Sequence, residues 1–179
     1  MIKNFIKQHD EYMGEFVYGA IDGSVTTFAV VASASGANLA TKVVLILGVA
    51  NLIADGFSMG VGSYLSSKSR AELRNKRRAD IVEIGSPVVR ALVTYTAFIA
   101  VGIIPLIAYI SEYILDINIE HKFIFSIALT SMAFIFIGLM KSSVTNTGKL
   151  KAIFETLTLG SVAAFLAYFA GSLLEGILT

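Results

Sequence analysis

Five apolar stretches, each near the length of a bilayer-spanning helix, restrict what this chain can fold into. They fall at 14–37, 41–66, 88–111, 122–140 and 152–174. A hydrocarbon core takes about 20 mostly apolar residues per helix. The period-two alternation of a membrane barrel is absent, and helices are the other way to satisfy every backbone group in lipid. Composition agrees: 55% of residues are hydrophobic and 15% charged, against about 25% charged in a soluble domain. A disordered chain, a coiled coil and a nucleic-acid module are thereby excluded. With no Cys, a disulfide scaffold, a zinc ribbon and a thiol nucleophile are excluded too. The sequence predicts an all-α integral membrane protein with five transmembrane helices per subunit, forming one membrane domain over 1–179.

Charge predicts the orientation. Lys42 and Lys122 stand apart, and the other 12 of the 14 Lys and Arg residues lie in the N-terminal segment, in 67–90 and in 141–151. Positive charge collects on the cytoplasmic side. The expectation is a cytoplasmic N-terminus, a basic cytoplasmic loop at 67–87, and a C-terminus outside or in a lumen. Residues 1–16 lack the apolar core of a secretory signal and read as an amphipathic lead-in to the first helix. Pro87 suits a helix start, and Pro105 predicts a kink inside the third span. His9 and His121 fall at predicted helix ends, where an interfacial role is expected.

The first two spans are the least apolar, and their polar residues are ordered. Glu11, Glu15, Asp22 and Thr26 are spaced by 4, 7 and 4 residues, so they share one face of a continuous helix. Asn51, Asp55 and Met59 share a face of the second helix. Asp22 lies about 13 Å along its helix from Met13, well inside the hydrocarbon. Intramembrane carboxylates are expensive and mark ion paths. Carboxylates with a thioether suit a divalent transition metal, with Fe²⁺ favoured over Mg²⁺ or Ca²⁺ and with Mn²⁺, Co²⁺ and Zn²⁺ also accommodated. A carboxylate must shed its proton to hold a metal, which gives a chemical route to proton exchange.

Each residue also has a plainer reading. Met59 alone can be packing, Asn51 can join two helices, and Glu11 and Glu15 can be solvated. Gly14, Gly19 and Gly23 on the first helix, and Gly56, Gly60 and Gly62 on the second, predict close helix approach and narrow walls around a small ion. Two other functions compete with transport. A membrane scaffold would use the polar groups as interhelical glue. An intramembrane aspartyl protease would need two aspartates on separate helices, but the sequence has AIDG and ADGF where that chemistry uses GxGD.

The segments AIDGSVTTFAVVASASGA (20–37) and LILGVANLIADGFSMGVGSYLSSKSR (45–70) resemble the vacuolar iron transporter family, which includes yeast vacuolar iron/manganese transporters and plant nodulin-like proteins. The resemblance implies a homodimer with a metal path between subunits, lined by the first two helices. It implies movement of cytosolic Fe²⁺, or Mn²⁺, across the membrane in exchange for protons, the metal being substrate and no cofactor being needed. The host membrane would be vacuolar in a eukaryote and the cell membrane in a prokaryote. The family's motif residues fall on Asp22 and Met59, its acidic lead-in on Glu11 and Glu15, and its more variable positions on Asn51 and Asp55. The sequence departs from the family at one place. Plant-type members insert a long, Glu-rich helical domain between the second and third helices, where this chain has about 20 residues, many of them basic.

Overall fold

The computed structural model describes the backbone of residues 2–76, 85–115, 119 and 121–178, and the side chains from Tyr12 onward apart from 74, 75 and 115. The described residues form helices α1 (Ile2–Gly36), α2 (Thr41–Lys76), α3 (Pro87–Gly102), α4 (Ile107–Leu115), α5 (Lys122–Thr145) and α6 (Lys149–Leu178), with a 3₁₀ turn at Ile104–Leu106. They contain no strand. Five segments are long and apolar enough to cross a membrane: Tyr12–Gly36, Thr41–Leu73, Pro87–Ile114, Lys122–Thr145 and Lys149–Leu178. The chain is an all-helical integral membrane protein. The expected lead-in is continuous with the first span, because α1 runs unbroken from Ile2.

The third span is jointed where proline requires it. Pro87 occupies the first turn of α3, and Pro105 falls in the 3₁₀ turn between α3 and α4. Proline supplies no N–H and crowds the preceding turn, so a helix breaks there. The Pro105 carbonyl is satisfied from α5, accepting the Ser126 hydroxyl at 2.7 Å.

α1 is the central helix and packs against α2, α3, α5 and α6. Glycines set how closely. A Cβ on Gly19 would collide with the Thr94 carbonyl oxygen, and one on Gly23 with the Phe98 carbonyl oxygen. α3 therefore lies with its backbone against that of α1. Gly56 and Gly60 of α2 face α3 as well, against Tyr95, Phe98 and Ala91. The close helix approach expected of these glycines is made against α3 by Gly19, Gly23, Gly56 and Gly60. Gly14 and Gly62 have open space around them. At the far end of α1, Gly36 meets the Tyr168 backbone and Gly171 of α6 meets Ser33.

Two apolar clusters flank α1. One joins Val31, Ala34, Val44, Leu52, Phe98, Leu106, Ala108 and Tyr109. The other joins Val17, Ala20, Phe28, Ala97, Phe134 and Ile137. The outer faces stay apolar and exposed, as on α2 at Ile46, Ile53 and Phe57, and on α6 at Phe154, Phe165 and Phe169. In lipid such faces need no protein cover.

Polar contacts tie the span ends. At one end, the Ser86 N–H donates to the Tyr12 hydroxyl at 3.1 Å, and Lys141 pairs with Glu155 at 2.7 Å. At the other, Lys122 pairs with Glu112 and donates to Thr41 Oγ1 at 3.1 Å, while Thr41 donates to Glu112 Oε2 at 3.2 Å. His121 is the exposed N-cap residue of α5. Residues 77–84 of the basic segment, and the side chain of His9, lie outside the described residues.

The glycine seam gives a test. Gly23→Ala should lower stability by about 1–3 kcal/mol through overpacking. Gly176→Ala, with nothing within 4 Å of the new methyl, should be neutral or slightly stabilising. Melting of the purified proteins in detergent would show the difference, and equal melting would refute the close α1–α3 contact.

Candidate functional site

α1 and α2 are antiparallel, so a step back along one matches a step forward along the other. Asn51 of α2 donates to Thr26 Oγ1 and Thr27 Oγ1 of α1, each at 3.4 Å. Four residues back on α1 is Asp22, and four forward on α2 is Asp55. Asp55 lies close enough for its charge to act on Asp22. Seven residues further back is Glu15, and eight further forward is Ser63, whose hydroxyl donates to Glu15 Oε2 at 3.1 Å. The two polar stripes therefore face each other along one seam.

Asp22 and Asp55 are both partly buried, and each lies near the middle of its span. Thr26 bonds the Asp22 backbone carbonyl at 2.8 Å and leaves the carboxylate alone. Among the described residues, neither carboxylate has a hydrogen-bond or ion-pair partner. Two like charges at mid-span without a counterion are unfavourable in low dielectric. A cation placed between them would relieve that repulsion.

Toward the N-terminal end of α1 the seam opens into a cleft of about 520 Å³ lined by Glu15, Tyr18, Ser58, Met59, Gly62, Ser63, Ser66 and Arg70. Met59 has two surroundings, for it lines this cleft and also packs against the apolar cluster around Phe98. Glu15 is held from two helices. It accepts from Ser63 of α2, from Thr94 of α3 at 3.0 Å, and pairs with Arg90 of α3 at 3.5 Å. The sequence reading missed Arg90 and Thr94. Their spacing of four residues places them on one face of α3, but the sequence does not say which helix that face meets.

The structure brings Glu15 and Met59 to one cleft and sets Asp22 beside Asp55. Asn51 bridges the two helices next to that pair. Glu11 lies on the α1 backbone, but its side chain is outside the described residues. Among the described residues, no three acidic or histidine side chains converge on a common point. The described residues thus form a line of polar side chains along the α1–α2 seam and no closed cage.

These features define a helical membrane protein with an acidic seam between its first two spans. The chain belongs to the VIT family, whose sequence model matches residues 13–84 and 79–172. It is 26% identical to a vacuolar iron transporter of Toxoplasma gondii, over 97% of this chain and 78% of that protein. It is 24% identical to vacuolar iron transporter 1 of Tulipa gesneriana, over 93% and 91%. It is 26% identical to vacuolar iron transporter 1 of Arabidopsis thaliana, over 88% and 84%. These matches run over 234, 229 and 214 aligned positions, all more than the 179 residues here. Each relative therefore carries segments without a counterpart in this chain. The two family matches meet at 79–84, in the connection between α2 and α3.

Thr94 is fully buried and Ser63 is partly exposed. Thr94→Val should therefore cost about 1.5–3 kcal/mol, the worth of a hydrogen bond to a charged group. Ser63→Ala should cost less, because water can replace its hydroxyl. Melting of both variants would check the order, and the reverse order would mean that Thr94 does not anchor Glu15.

Proposed function

We propose that this chain is a divalent transition-metal transporter that moves cytosolic Fe²⁺, and Mn²⁺ as a second cargo, across its membrane in exchange for protons. The observation that carries the reading is the mid-span pair Asp22 and Asp55, two carboxylates within each other's electrostatic reach and without a hydrogen-bond or ion-pair partner among the described residues. The names of the relatives agree with it.

Glu11 and Glu15 receive the ion at the cytoplasmic mouth, and Met59 contributes its thioether beside Glu15. Asp22 and Asp55 take it through the middle, with Asn51 fixing the spacing of α1 and α2. The basic ends of the spans lie in the cytoplasm, by the positive-inside rule. The whole chain acts as one membrane domain, in a vacuolar-type membrane in a eukaryote or the cell membrane in a prokaryote. A homodimer completes the path. A two-fold axis beside the α1–α2 seam would double every donor, which answers the sparse donor set of one chain. The segments that the relatives carry in addition belong between α2 and α3, where the two family matches meet.

Reconstitution tests this reading. Liposomes holding a metal-sensitive dye and a pH dye receive Fe²⁺, Mn²⁺ or Zn²⁺ outside. The expected result is metal entry with a matching rise in internal pH. Asp22→Ala should reduce entry to the level of protein-free vesicles while the protein remains folded. Unchanged entry in that variant would remove Asp22 from the path. No entry for any metal, with a proton gradient imposed, would sink the transport reading.

A further inference from the structure

Glu15 stands where the cleft between α1 and α2 begins, and the protein already supplies it with a cation. Its Oε2 accepts from Ser63 and Thr94 at 3.1 and 3.0 Å, and the Arg90 guanidinium lies 3.5 Å from Oε1. The Arg90 and Glu15 side chains are 13% and 16% exposed, so water screens this pair less than a surface pair. The partners differ in what they permit. A hydroxyl has lone pairs and can reorient toward an arriving metal ion. A guanidinium has donors only and a fixed positive charge, so it cannot share a carboxylate oxygen with a divalent cation at short range.

We propose that Arg90 is a resident competitor for the metal ion at Glu15, a guanidinium that occupies the entry carboxylate in the state seen here and must release it before the ion binds. The proposal rests on Glu15 being an entry ligand, as in the transport reading above. Arg90 is a positioning residue, because it acts on the ion through Glu15. Its effect is to weaken binding at the mouth, and the carboxylate passes from one cation to another without standing bare. By reciprocity, a metal bound at Glu15 loosens the hold of α3 on α1 at this end by the same factor.

The test is the concentration dependence of Mn²⁺ uptake in proteoliposomes. Arg90→Gln should lower KM by about fivefold or more, the low end of an ordinary coupling. Arg90→Lys should return KM toward that of the unaltered protein. Glu15→Gln and the double variant Glu15→Gln/Arg90→Gln should share one KM within about twofold, since no carboxylate remains to be contested. An unchanged or raised KM in Arg90→Gln would overturn the proposal. So would a KM shift that persists in the Glu15→Gln background, because Arg90 would then be acting on the ion by its field alone. Should Arg90→Gln fail to fold, the Glu15→Gln pair decides, for the double variant leaves neither charge unpaired. Absence of Mn²⁺ uptake by the unaltered protein is a different failure: it would overturn the transport reading and this proposal together.

Discussion

The close approach of α1 to α3 is the contact on which the rest of the arrangement depends. It exists because Gly19 and Gly23 present no side chain to the α3 backbone. Thr94 and Arg90 reach Glu15 only because that distance is short. The same glycines fix the rotation of α1. With them turned toward α3, the acidic stripe turns toward α2. Gly56 and Gly60 seat α2 on α3 less closely, chiefly against the Tyr95 and Phe98 side chains, so α3 serves as the floor on which the two polar helices are set side by side.

Much of this was legible in the sequence, for identifiable reasons. Lipid demands long apolar runs, so all five spans could be read from length and composition. Pro87 and Pro105 act locally through ring geometry, and they marked a helix start and the break at the 3₁₀ turn. The facing of Asp22 and Asp55 was implicit once two adjacent spans were taken as antiparallel, since helical periodicity ordered each stripe beforehand. What could not be read was which helix each glycine meets. Gly56 and Gly60 carry the GxxxG spacing, and spacing says that something packs closely without saying what. The partners of Glu15 were hidden for a similar reason. Arg90 and Thr94 come from a third helix 75 or more positions away, and their role depends on how α3 is rotated.

The ends of the molecule are fastened differently from its middle. Near the membrane faces, ion pairs and hydroxyls join the helices, with Arg90 on Glu15, Lys141 on Glu155 and Lys122 on Glu112. At mid-depth the contacts are apolar, backbone to glycine, or hydrogen bonds such as those of Asn51 to Thr26 and Thr27, and the carboxylates of Asp22 and Asp55 are set among them. Burying a charge without a partner is costly. A site that stays costly when empty is suited to holding a cation in passing.

Helix α6 shows where the fold keeps its information. Its inward positions are Ala152, Thr156, Gly160 and Gly171, at intervals close to whole helical turns. Large apolar side chains such as Leu150, Phe154, Phe165 and Leu178 look outward. Lipid distinguishes poorly among Leu, Ile, Phe and Val, so those outward positions can drift without penalty while the few small inward ones cannot. A chain built this way can share only about a quarter of its residues with its relatives and still match one family model. What the packing constrains is a short text of small and polar residues, written on a background that only has to be oily.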